Sequence, residues 1–478
     1  MVGLTILAVA AVAFSRSLAN VLPQSIGEYS NEYSHGQYGA GQSCDSVPVG
    51  YQCQDNISHY WGQYSPWFSV PSNISAAIPP KCKVTFAQIL SRHGARDPTA
   101  SKTKAYKSLV DKLHANVTSF TGEYAFIANY SYTLGADNLT PFGAQELVNS
   151  GIKFYHRYET LAKANDPFIR SSGDQRVVDS ATNWTTGFNE ARAADRKSRR
   201  GPAPGVAVII PEADGVNNTL NHDLCTAFEN GTDSDIASDA QAIWASVFVP
   251  PIQARLNENL PGANLSVTET IYFMDLCPFN TVANINGSVS PFCSLFTATE
   301  WQQYGYYETL NKFYGYGSGN PLGPTQGVGF AEELLARLTG TPVVPEASIN
   351  RTLDSDPASF PLNRTLYMDA SHDNDMTGIL FALGIYNSTE MLSNTTVETT
   401  AQTNGYSAAW TVPFAARVYF EKMKCACSEE ELVRVVVNDR VQPLTFCGAD
   451  ELGRCTLSDF VSSQTFVRGD GQWSSCFT

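Results

Sequence analysis

Strand-like apolar runs, most followed by a polar turn and a helical pattern, recur along this chain of 478 residues, and that alternation leaves few folds open. Residues 84–90 form the first run, ahead of a helical pattern at about 102–113. Phe168-Ile169-Arg170 is a short second, leading to a helix from Arg176 through Phe188 to Ala193. Residues 206–210 are the third run, and residues 365–370 the fourth, with Met376, Ile379, Leu380 and Leu383 at helical spacing behind it. Residues 432–437 are the fifth. The pattern predicts an α/β fold, a mixed sheet flanked by helices. From 217 to 338 the chain instead reads mostly helical, at 240–249, 252–260, 300–314 and 328–338. The expected organisation is an α/β domain of residues 20–213 and 346–478, with a smaller helical domain, about 214–345, inserted into it.

The start of the chain reads as an export signal. Residues 4–14 are mostly apolar, and Ser17-Leu18-Ala19 fits a cleavage site, so residues 1–19 are assigned as a signal peptide, although no Lys or Arg precedes the run. The run is too short to cross a bilayer, which takes about 20 residues. Eleven cysteines and fourteen Asn-x-Ser/Thr sequons, among them Asn56, Asn116, Asn264, Asn350 and Asn387, agree with an oxidising, glycosylating compartment. Only 16% of residues are charged and the net charge is −15, which suits an extracellular enzyme working in acid and argues against a nucleic-acid partner. The expected protein is secreted, extracellular, free of membrane and monomeric. Residues 25–80, rich in Gly, Ser, Tyr and Gln, read as an extended arm pinned by Cys44 and Cys53. Proximity also pairs Cys277 with Cys293, and Cys447 with Cys455.

The chemistry gathers at strand ends, where open α/β sheets bind ligands. The first run ends in Ser91-Arg92-His93-Gly94-Ala95-Arg96-Asp97-Pro98. Two guanidiniums close together repel unless an anion lies between them, and phosphate fits their fork geometry. Arg170 and the cluster Ser371-His372-Asp373-Asn374 follow two other strands. Phosphate-ester hydrolysis needs oxygen stabilisation, an in-line nucleophile and a proton for the leaving oxygen. Arg92, Arg96 and Arg170, helped by His372, would hold the oxygens. His93 would attack and form a phosphohistidine, kept unprotonated in acid by its arginines. Asp373 would protonate the alkoxide and later serve the attacking water. No metal or other cofactor is expected, since neither H-E-x-x-H nor a C-x-x-C pair occurs. Gly315-Tyr316-Gly317-Ser318-Gly319-Asn320 lacks the Lys-Ser/Thr of a phosphate-binding loop and reads as a plain loop.

These residues resemble the histidine acid phosphatases, most closely the secreted fungal phytases. The resemblance rests on Arg92-His93-Gly94-Ala95-Arg96 with Pro98 and on Ser371-His372-Asp373-Asn374. Supporting stretches are Leu139-Thr140-Pro141-Phe142-Gly143, Asn320-Pro321-Leu322-Gly323-Pro324-Thr325-Gln326-Gly327 and Ala409-Trp410-Thr411-Val412-Pro413-Phe414-Ala415. It implies an α/β domain with a smaller helical one, a site between them, and myo-inositol hexakisphosphate (phytate) as substrate. A broad-specificity acid phosphatase of the same family is the alternative. It also implies disulfides Cys82–Cys425 and Cys225–Cys476, leaving Cys427 unpaired unless it replaces Cys425. Lys102, Lys104 and Lys312 are candidate cations for a polyphosphorylated substrate. One position departs from the family pattern: Asp97 stands where the fungal phytases often carry Tyr.

Overall fold

The computed structural model describes residues 44–478 apart from 200, 345, 346 and 427. The signal-peptide assignment, the first part of the arm and Cys427 lie outside the described residues. Among the described residues, a sheet of eight strands organises the fold. Strand β1 (Cys82–Arg92) is central, with β4 (Leu366–Ser371) parallel on one side and β5 (Arg417–Cys425) antiparallel on the other. Beyond β4 lie β2 (Phe168–Ser172) and β3 (Val208–Ile210), both parallel. Beyond β5 lie β6 (Leu432–Val437) and β7 (Arg440–Gln442), with β8 (Cys455–Thr456) also paired to β6. The order is β3-β2-β4-β1-β5-β6-β7, so the four parallel strands end along one edge.

Side chains alternate across the sheet and fill a core on each face. Ile89, Ile169, Leu366, Met368 and Val436 pack on one side with Phe154, Trp184 and Phe188. Phe86, Leu90, Tyr367, Val418 and Val435 join a second core on the other, shared with the helices of the middle of the chain. Helix α1 (Ala100–Asn116) follows β1, α2 (Pro141–Arg157) precedes β2, and α3 (Gln175–Ala194) follows it. Pro141 at the first position and Thr140 as cap, accepting from Gly143 N, start α2 where it does. Gly151 and Gly187 let α2 and α3 touch backbone to backbone, since a Cβ at Gly151 would strike the Trp184 carbonyl and one at Gly187 the Val148 carbonyl.

The middle of the chain supplies α4 (Ile236–Asn259), α5 (Val267–Ala283), α6 (Ala298–Tyr316) and α7 (Val328–Thr339). Capping boxes at Ser266/Glu269 and Thr297/Glu300 open α5 and α6. The two expected helices at 240–249 and 252–260 are one helix that runs through Pro250-Pro251. Trp244, Phe248, Ile252 and Leu256 are buried on both sides of the prolines, and that packing overrides the local break. Strand β5 escaped the sequence reading because Arg417, Glu421, Lys422 and Lys424 interrupt its apolar pattern. Two of these charges are buried: Glu421 meets Arg157 and Arg434, each at 2.7 Å, and Arg417 stacks over the Trp67 ring at 3.6 Å. After β4, helix α8 (Asp373–Ala382) begins directly at the strand's end. Five disulfides join the expected partners Cys44–Cys53, Cys82–Cys425, Cys225–Cys476, Cys277–Cys293 and Cys447–Cys455. No described helix is long and apolar enough to cross a membrane.

The glycine contact between α2 and α3 is testable. Gly187→Ala should destabilise the fold by about 1–3 kcal/mol through overpacking, read as a lower Cm in urea unfolding; an unchanged midpoint would contradict the close approach.

Candidate active site

Each of the four parallel strands delivers a polar side chain at or just beyond its carboxyl end. His93 follows β1, Arg176 lies in the first turn after β2, Glu212 follows β3, and His372-Asp373 follow β4. Backbone bonds hold the turn after β1 through both polar groups of His93: His93 N donates to Ser371 O at 3.1 Å, and Ala415 N donates to His93 O at 2.9 Å. Ala415 reaches that position with φ 52°, a left-handed conformation held at a cost of about 1 kcal/mol or more for a residue with a Cβ.

His93 is 1% exposed. Its Nδ1 donates to the carbonyl of Gly94 at 2.8 Å, which assigns the proton to Nδ1 and leaves Nε2 with a free lone pair. Burial first, and then Arg92, Arg96 and Arg176, hold the imidazole well below its ordinary pKa, so it stays unprotonated in acid. Arg92 is wholly buried; its Nη1 donates to Gln63 O and, at 2.8 Å, to Val412 O, and its Nη2 lies 3.3 Å from Asp373 Oδ2. Arg96 donates from Nη1 to its neighbour's carbonyl, Asp97 O, at 2.8 Å. Buried nitrogens remain without a hydrogen-bond partner on all three guanidiniums: Arg92 Nε, Arg96 Nε and Arg176 Nε. Donors left open in this way suit an oxyanion.

Arg170 stands elsewhere. Strand β2 runs on to Ser172, so Arg170 lies within the strand rather than at its end, opposite Asp369 of β4. Its Nε donates to Asp369 at 2.7 Å and its two terminal nitrogens to Glu333, while Arg337 closes the same network on Asp369 at 2.6 Å. Each of its three nitrogens donates to a carboxylate of this buried network, which sets Arg170 apart from the guanidiniums around His93. The guanidinium near His93 belongs to Arg176, which the sequence reading passed over. A legible signal existed: Asp174 caps α3, accepting from Arg176 N at 3.2 Å, which puts the next cation at the strand's end.

Around this centre, His372 is oriented by Glu212, whose Oε1 accepts from His372 Nε2 at 2.9 Å. Burial raises Glu212, but bonds from His372, Ser172 and the Asp174 amide outweigh it and bring it down to about 2. Arg176 Nη2 meets His372 Nδ1 at 3.5 Å, and the His372 and His93 rings lie 5.7 Å apart. Asp373 meets Lys312 Nζ at 2.8 Å as well as Arg92. Burial pushes its acid up, but Arg92 and Lys312 outweigh that and hold it well below the usual carboxylate range. Lys312 also donates to Asn374 at 2.6 Å. Lys102 sits over Tyr272 at 4.6 Å, and 3.7 Å from Asp275. Lys104 is exposed on α1 and forms no ion pair with a site residue. Asp97 is half-buried against the 134–139 loop, where burial raises its acid and the Gly135 amide opposes that. Among the described residues one group could hold a cation, His222 with Asp223 and Glu229; His222 Nδ1 already pairs Glu229 at 2.7 Å.

A family model described as the histidine phosphatase superfamily (branch 2) matches residues 83–438. A protein named Phytase A from Aspergillus oryzae is 57% identical over 441 residues, 91% of this chain and 94% of that protein. Phytase A from Aspergillus fumigatus is 52% identical, over 91% and 94% of the two chains. The crystal structure of the phytase from D. castellii superposes with a TM-score of 0.69 at 23% identity, covering 87% of each chain, and shows the same fold.

Two substitutions separate the arginines. Arg170→Ala should strip Glu333 and Asp369 of their partner and cost about 3–5 kcal/mol of stability, read by thermal unfolding. Arg176→Met removes a positive neighbour of His93, so His93 is protonated more readily. The acid limb of kcat/KM should therefore move to higher pH; a limb that stays in place would show that Arg176 does not act on His93.

Proposed function

This chain belongs to the histidine phosphatase superfamily, branch 2, and from that membership and the geometry around His93 we propose that it is a phytase releasing phosphate from myo-inositol hexakisphosphate through a phosphohistidine. The observation that carries the reading is the His93 imidazole, its Nδ1–H tied to Gly94 O and its Nε2 free, among three guanidiniums that each keep a buried nitrogen open.

A phosphate monoester entering the site finds Arg92, Arg96 and Arg176 for its non-bridging oxygens. The Nε2 lone pair attacks phosphorus in line as the bond to the inositol oxygen breaks. The departing alkoxide takes a proton from Asp373. That role is compatible with an ionised Asp373 in the substrate-free site. A bound phosphate dianion competes for the charges of Arg92 and Lys312, and two anions beside one another drive the carboxylate to take up a proton. In the second step water attacks phosphorus, Asp373 accepts its proton, and the P–N bond breaks to release phosphate and restore His93. His372, turned by Glu212, orients Arg176 beside the phosphate. Lys312, beside Asp373, and Lys102, over Tyr272, are the cations we assign to further phosphate groups of the substrate. Phytase A proteins at 52–57% identity support phytate as the substrate. Five disulfides support a secreted protein.

His93→Ala should lower phosphate release at least about a thousandfold, as loss of a nucleophile does elsewhere. Acid-quenched wild type should carry one phosphoryl group on His93 by peptide mapping, and a phosphoryl group on another residue would contradict the assignment. Asp373→Asn should cut kcat about 100-fold or more on phytate, whose alkoxide needs a proton. It should cut it much less on an aryl phosphate with a good leaving group; equal losses would show that Asp373 is not the acid.

A further inference from the structure

His93 and Arg96 stand on a turn whose backbone must itself be held. We propose that Glu146 is the positioning residue of that turn: its carboxyl group binds the Ala95 amide to helix α2, and so sets where the His93 imidazole and the Arg96 guanidinium meet phosphate. The inference rests on the phosphohistidine reading above.

Glu146 is 1% exposed. Its Oε2 accepts from Ala95 N and its Oε1 from Trp67 N, each at 2.9 Å. The other amides of the turn have different partners: Gly94 N goes to Ser180 Oγ at 3.1 Å and Asp97 N to Asn138 O at 2.9 Å. Ala95 is wholly buried, so its amide needs a partner from within the protein, and Glu146 is that partner. The carbonyl of Ala95 returns to the start of the same helix, accepting from Thr140 N at 2.9 Å and Thr140 Oγ1 at 3.1 Å. Ala95 is therefore fastened through both its N–H and its C=O to the first turns of α2. Gly94 and Gly143 make room for this: a Cβ on Gly94 would strike the Gly143 carbonyl, and one on Gly143 the Ala95 carbonyl.

A carboxyl group here is unfavourable for stability alone. Burial first, and then the neighbouring carboxyl of Asp45, push the Glu146 acid up to about 8. A carboxyl offers two acceptor oxygens for two amides that face it from different segments, and it offers both whether or not it is protonated. Glutamine has one. The Trp67 amide that Glu146 also holds lies in the segment whose Gln63 carbonyl accepts from Arg92, so the residue links two supports of the phosphate site.

The test compares Glu146→Gln and Glu146→Asp with wild type by acid-quench measurement of phosphoenzyme formation, together with steady-state kinetics on phytate and an aryl phosphate. In Glu146→Gln an NH2 must face one of the two amides. Phosphorylation and kcat should fall about 10- to 100-fold on both substrates, the loss expected from a displacement of about 1 Å, with KM little changed. Glu146→Asp keeps both oxygens on a shorter arm and should recover part of the rate. A folded Glu146→Gln that phosphorylates at the wild-type rate overturns the inference, as does one in which only Tm falls. If Glu146→Gln does not fold, a wild-type rate in Glu146→Asp overturns it. Wild type separates the two readings: failure to phosphorylate His93 sinks the phosphohistidine reading, whereas normal wild type with unimpaired variants sinks the positioning role.

Discussion

Three guanidiniums converging on one imidazole repel one another and oppose its protonation, and the fold around them serves to hold that arrangement together. Arg92 is fixed by two main-chain carbonyls and Asp373, Arg96 by the carbonyl of Asp97, and Arg176 by Asp174 at 2.6 Å. These partners leave at least one buried nitrogen open on each arginine. Phosphate completes the set, with charge on oxygens that fit the forks. The same cations keep His93 unprotonated in acid, so on the proposed phosphohistidine reading affinity for phosphate and nucleophilicity have one cause.

The sheet determines where these groups meet. Parallel strands β1, β2, β3 and β4 all end along one edge, which turns four distant sequence positions into neighbours. Disulfide Cys82–Cys425 joins the first residue of β1 to the last of β5, and these residues are also register partners. Arg170, Asp369, Glu333 and Arg337 form a buried ion network between β2, β4 and α7. Such a network is poor evidence for stability by itself, but removing one member leaves the others uncompensated. Its position behind the site makes it part of the support for β4, the strand that carries His372 and Asp373.

Much of this was legible from the residues. Runs of apolar side chains located five strands, and the turn after β1 announced its chemistry through Arg92, His93 and Arg96. What escaped had physical reasons. Strand β5 hides because its buried charges, Arg417 and Glu421, look like solvent-facing residues until their partners are known. Arg170 reads from the sequence as a strand-end cation, but two more residues of strand separate it from the edge, and the guanidinium near His93 is that of Arg176. Glu212 and Glu146 carry no motif; each matters through contacts across long stretches of sequence, His372 for one and Ala95 with Trp67 for the other.

The phosphohistidine route requires two in-line displacements at phosphorus. The most direct measurement is the stereochemical course of phosphoryl transfer from a chiral, isotopically labelled phosphate ester to an acceptor alcohol. Two displacements predict overall retention of configuration at phosphorus. Inversion would mean a single direct attack by the acceptor, and would contradict a covalent intermediate on His93.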